Sequence, residues 1–67
     1  MNIKKILEDH ELWLDTEGKK GARANLKRAD LSYANLEGAR LHHTNLSCAN
    51  LRDANLEGAS FWNTKGI

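Results

Sequence analysis

Large apolar residues recur at every fifth position from Leu26 to Phe61: Leu26, Leu31, Leu36, Leu41, Leu46, Leu51, Leu56 and Phe61. A small residue stands two positions before each: Ala24, Ala29, Ala34, Ala39, Thr44, Ala49, Ala54 and Ala59. Neither regular element can use this period. On an α-helix a step of five turns the side chain by about 140°, which scatters the leucines around the axis. On a flat strand an odd step sends successive leucines to opposite faces. A different path solves the problem. The chain runs briefly extended, with Ala24 and Leu26 inward and Asn25 outward, then turns a corner over the next two residues. Repeated in the same sense, the turn makes a coil with its leucines inside.

The repeat also has a longer period. ANLEGA occurs at 34–39 and again at 54–59, twenty residues on, as expected when coils of a solenoid stack on one another. The units ANLKR, ADLSY, ANLEG, ARLHH, TNLSC, ANLRD, ANLEG and ASFWN cover 24–63. They resemble the pentapeptide-repeat family, whose unit reads A-(N/D)-L-x-x. Arg40 and Ser60 depart from it at the Asn/Asp position, Thr44 at the Ala position and Phe61 at the Leu position. The resemblance implies an all-β solenoid: a right-handed, four-sided β-helix with four units per coil. Eight units then make about two coils, a body about 10 Å tall at the usual interstrand spacing.

A core this short buries little surface, and solenoid ends need covers. Residues 3–14 carry Ile3, Ile6, Leu7, Trp13 and Leu14 at spacings of three, four and seven, with His10 on the same stripe. This predicts an amphipathic helix capped by Asn2 and stopped at Thr16-Glu17-Gly18. Its apolar side is expected to cover the first coil, with Trp13 supplying much of the buried area. The division is therefore a capping segment over 1–18 and a repeat domain with a short tail over 19–67. No comparable cap follows the second coil. Phe61 can fill the core there while Trp62 and Ile67 cover the edge. Alternatively these residues meet a second copy or another protein, since exposed apolar patches mark interaction sites. The family resemblance implies dimerisation through this C-terminal end.

Other features narrow the setting. The chain has no proline, which suits an uninterrupted ladder of backbone bonds. Cys48 is the single cysteine, so no internal disulfide is expected. No apolar run is long enough to span a bilayer. The segment after Lys4 and Lys5 is soon broken by Glu8, Asp9 and His10, unlike a signal peptide. A cytosolic location is expected.

The net charge of +1 hides two blocks. Five acids lie between 8 and 17 (Glu8, Asp9, Glu11, Asp15, Glu17), and five bases between 19 and 28 (Lys19, Lys20, Arg23, Lys27, Arg28). Stacking at a period of twenty sets Glu37 over Glu57, Tyr33 over Asp53, His42 over Trp62 and His43 over Asn63. Like charges on neighbouring strands are mildly destabilising. Asp30, Glu37, Asp53 and Glu57 are thus a candidate acidic face for a partner, and Glu8, Asp9 and Glu11 a second acidic surface on the helix. Simple duplication of a coil, with Glu-Gly kept for the corner, explains the same carboxylates. The Asn ladder reads as structural, each side chain bonding locally at its turn.

Catalytic and metal chemistry are not expected. His42 and His43 are adjacent at a corner, where their side chains should diverge, with His42 stacked beside Trp62. Cys48 falls on another edge, and no ligand spacing such as C-x-x-C or H-x-x-x-H occurs. Ser32, Ser47 and Ser60 stand on separate edges without a base. No phosphate-binding glycine loop is present. No enzyme activity, cofactor or metal is expected.

Three functions compete. The first is a protein-binding inhibitor that presents carboxylates where DNA presents phosphates and so occupies a basic channel. The resemblance implies DNA mimicry of this kind against topoisomerases, although such relatives are longer and more acidic. By analogy, a small phage or mobile-element protein would block a host nucleic-acid-targeting defence, as an anti-CRISPR does. The second is a structural or dimerisation module docking through its C-terminal end. The third is direct nucleic-acid binding through the 19–28 bases, weakened by the near-neutral net charge.

Overall fold

The computed structural model describes residues 1–66. One helix, α1 (Ile3–Asp15), precedes a coil of eight turns. The Asn2 side chain accepts from the Lys5 N–H at 3.1 Å and caps α1. At the other end Gly18 N–H reaches the Trp13 carbonyl at 2.8 Å, and Glu17 N–H the Leu14 carbonyl at 3.4 Å. Glu17 is left-handed, at φ 56°. These are the paired bonds of a Schellman stop.

Each five-residue unit folds in the same way. The Leu26 carbonyl accepts from Ala29 N–H at 3.0 Å across a tight turn, and Arg28 within it is left-handed at φ 62°. A positive φ at the third residue alone makes this a type II turn. The left-handed position recurs at Tyr33, Gly38, His43, Cys48, Asp53, Gly58 and Asn63. Before six of the eight turns the outward Asn or Asp accepts from the N–H two residues on, as in Asn25 to Lys27 (3.2 Å) and Asn50 to Arg52 (3.0 Å). The Asn ladder is therefore turn structure, as its spacing indicated.

Parallel bridges join Asn25 to Asn45, Asp30 to Asn50, Asn35 to Asn55, Arg40 to Ser60 and Asn45 to Lys65. All span twenty residues, with a corner every five, so each coil has four corners. The ladder is made of isolated bridges, and among the described residues there is no continuous strand. The all-β expectation is corrected to that extent. A unit that spends two of its five residues turning leaves one bridging residue per side. Inside, Leu26, Leu31, Leu36, Leu41 and Leu46 are buried, with Ala24, while Leu51, Leu56 and Phe61 are only partly covered.

Ile3, Ile6 and Leu7 pack on this core from α1. Trp13 does not supply the cover expected of it. It stacks on His10, centroids 5.8 Å apart, and turns its edge to His43. The first half of the helix covers the leucines, and the second half lies toward a corner.

Three contacts hold α1 to the coil. His10 is fully buried. Its Nδ1 accepts from Ala24 N–H at 2.9 Å, so the proton sits on Nε2, which donates to the His42 carbonyl at 2.7 Å. Thr44 Oγ1 lies 3.2 Å from the same nitrogen, which gives the departure from alanine at that position a role. Arg40, the departure at an Asn/Asp position, reaches Asp15 at 3.0 Å and Glu11 at 3.7 Å on the helix. Last, Gly21 runs directly against the α1 backbone. Ala22 N–H donates to the Asp9 carbonyl at 3.1 Å.

Candidate interaction surfaces

The two coils differ in how their backbones are satisfied. In the first, the N–H groups of Leu31, Tyr33, Leu36, Gly38, Leu41 and His43 each donate to a carbonyl of the second, at 2.8–3.1 Å. The equivalent N–H groups of Leu51, Asp53, Leu56, Gly58, Phe61 and Asn63 find no backbone acceptor among the described residues. The carbonyls of Ala29, Ala34 and Ala39 accept from the second coil, whereas those of Ala49, Ala54 and Ala59 accept no backbone N–H among the described residues. An open ladder edge therefore rings the partly covered Leu51, Leu56 and Phe61. Unpaired edge groups of this kind are a template for another chain.

Phe61 takes the core position expected of it. Trp62 is exposed, and its contacts are lateral: its ring meets His43 edge-on at 5.0 Å and His42 at 6.4 Å. The expectation that the two histidines diverge is corrected, because both reach one indole. The stacked His42–Trp62 pair is likewise an edge contact, 60° between planes. An aromatic chain thus runs from His10 through Trp13 and His43 to Trp62. Adjacent residues at a corner can converge here because Trp62 sits one coil below them. The tail residue Ile67, expected at the edge, lies outside the described residues.

The acidic positions separate into paired and unpaired groups. Asp9 pairs with Lys5 at 3.0 Å, and Glu11 with Arg40. Glu8 makes no ion pair among the described residues. On the coil, Asp30 is tied into its turn, accepting from Ser32 Oγ at 2.6 Å and Ser32 N–H at 3.1 Å. That hydroxyl and then that amide hold its carboxyl below the usual range. Asp53 lies 3.6 Å from Arg52. Glu37 and Glu57 stand one above the other at one corner, with Gly38 N–H donating to the Glu57 carbonyl at 2.9 Å. Asn55 Nδ2 donates to Glu37 at 3.3 Å, and neither glutamate meets a cation among the described residues. Of the four coil carboxylates, Asp30 and Asp53 thus have local partners. Only Glu37 and Glu57 are brought together.

No group of three His, Cys, Asp or Glu side chains among the described residues is placed to hold a metal ion. Cys48 is free and exposed. No helix of the described residues is long and apolar enough to cross a membrane.

Compared with known proteins, residues 24–63 match a family model described as Pentapeptide repeats, in eight copies. No curated protein and no solved structure matches the chain.

Proposed function

This chain belongs to the pentapeptide-repeat family, and on that footing we propose that it is a non-enzymatic protein-binding module of the cytosol. Its coil is taken as a right-handed, four-sided β-helix that docks through its C-terminal end on a second copy of itself. The observation that carries this reading is the open edge of the second coil, where among the described residues six ladder N–H groups around Leu51, Leu56 and Phe61 find no backbone acceptor. A two-fold pairing of identical ends would cover that apolar patch on both copies at once. At the N-terminal end α1 covers the leucines, although the ladder N–H groups of Asp30, Asn35 and Arg40 find no backbone acceptor there among the described residues.

Light scattering tests the docking. The wild type should move from one to two chain masses as its concentration rises, and Trp62→Ala should shift that transition to higher concentration. Trp62 is 68% exposed, so its loss leaves the core intact. A mass of one chain throughout, in wild type and variant alike, would remove self-docking.

A second reading rests on the unpaired Glu37–Glu57 corner. Paired end to end, two copies would present it twice along a doubled rod, as an inhibitor of a nucleic-acid-handling machine could use. A CRISPR effector or a topoisomerase, met by a phage or mobile-element protein, is the kind of target meant. Glu37→Lys with Glu57→Lys should then abolish competition with DNA for such a basic protein, with the fold retained. Full competition by that double variant would end the acidic-corner version of mimicry.

A further inference from the structure

One side of the coil carries a cleft of about 230 Å³ lined by Arg23, His43, Asn45, Asn63 and Lys65. Two columns build it. His43 and Asn63 hold the same left-handed corner position in successive coils, and Arg23, just before the first unit, lines the cleft with them. Asn45 and Lys65 are bridge partners in the adjoining column. The lining thus holds two cations, an imidazole and two amides.

The chemistry of the lining is one-sided. No carboxylate takes part. Arg23 and Lys65 form no ion pair among the described residues, whereas Lys5, Arg40 and Arg52 each do. Asn45 Oδ1 already accepts from Ser47 N–H at 3.0 Å, which leaves its NH₂ group for a ligand. Asn63 Nδ2 lies 3.2 Å from His43 Nδ1. With Nδ1 accepting, the imidazole proton sits on Nε2, a further donor. The cleft therefore offers several N–H donors and two cations, with the Asn45 Oδ1 and His43 Nδ1 acceptors already engaged.

We propose that this cleft binds a phosphate group. Charge-assisted N–H donors on phosphate oxygens are among the stronger polar contacts. Two cations in one cleft match a phosphate monoester, which approaches two negative charges at neutral pH. Donors on several sides suit a tetrahedral anion better than a planar carboxylate. The site is independent of end docking and of the acidic corner.

Amide and side-chain NMR shifts at pH 7.5 test the proposal, with sodium phosphate, sodium acetate and adenosine monophosphate each added at constant ionic strength against sodium chloride. Phosphate should move the signals of Arg23, His43, Asn45, Asn63 and Lys65 saturably, and acetate should not. Arg23→Gln and Lys65→Gln, both at exposed positions, should each weaken binding about tenfold, the usual weight of one hydrogen bond to a charged group. Tighter binding of the nucleotide than of phosphate assigns an organic monoester as the ligand, and the reverse assigns inorganic phosphate. Shifts equal to those of chloride or acetate, or undiminished in the double Gln variant, would overturn the site.

Discussion

Gly21→Ala is expected to destabilise the protein by about 2–5 kcal/mol, the sum of a left-handed backbone penalty and overpacking. Gly21 sits at φ +70°, and a Cβ there would overlap the Asp9 carbonyl oxygen. It would also come 2.8 Å from the Trp13 backbone nitrogen and 3.1 Å from the Leu12 Cβ. None of these is the free end of a flexible side chain, so α1 itself must move away. Small domains have little stability to spare. Gly38→Ala is the matching control, with the same sign of φ (+69°) and no heavy atom within 4 Å. It should cost only about 1 kcal/mol, for its backbone conformation alone. Urea unfolding of the two variants side by side measures the difference. Equal losses would mean that the close approach of Gly21 to α1 does not hold the cap in place.

Replacing His10 should have a comparable effect, and one that depends on pH. His10→Leu leaves the Ala24 N–H, the His42 carbonyl and the Thr44 hydroxyl without their imidazole partner. Stranded buried polar groups of this kind should cost about 2–4 kcal/mol together. Burial is the main cause holding the His10 pKa below its ordinary 6.5; the nearby His43, Arg40 and His42 act in the same direction, against the hydrogen bond to the His42 carbonyl. The folded protein therefore keeps His10 neutral where the unfolded chain protonates it. Its contribution is complete above pH 6.5 and declines as the pH falls from there toward the lower folded value. The slope reaches at most about 1.4 kcal/mol per pH unit. Asp30 titrates from below 3.8, outside this window. Thermal unfolding from pH 7.5 downward should show wild type losing stability below 6.5 while His10→Leu, weaker throughout, changes less. Parallel losses in both would remove His10 as the source.

The coil was legible because a period of five admits one solution. The leucine spacing carries the inward core and the corners, the Asn residues the local turns, and the ANLEGA copy the stacking at twenty, and the corners, turns and stacking have counterparts in the hydrogen bonds. The local signals at the ends of α1 were legible too, since Asn2 and Thr16-Glu17-Gly18 act within a few residues. What the spacing could not reveal joins the helix to the coil. His10 reaches across 14 residues to Ala24 and 34 to Thr44, and Arg40 across 25 to Asp15. Such contacts follow no period. Their one trace was that Arg40 and Thr44 break the repeat, and both breaks prove to face α1. Trp13 was misjudged because a helical stripe says which side is buried but not what lies beneath each turn. The partners of the acidic residues were hidden on similar grounds. A twenty-residue register sets carboxylates in columns, yet Asp30 and Asp53 find local partners, and Glu11 a distant one in Arg40, that the register does not contain.

The central claim is that the second coil ends in an open ladder which another copy closes. Amide hydrogen exchange across a range of concentrations tests it residue by residue. Leu31, Tyr33, Leu36, Gly38, Leu41 and His43, bonded to the coil below, should be protected at every concentration. Leu51, Asp53, Leu56, Gly58, Phe61 and Asn63 should exchange fast when dilute and slow together as the protein is concentrated. If those six stay unprotected at every concentration, the C-terminal end does not dock on a second copy, and the account of it is wrong.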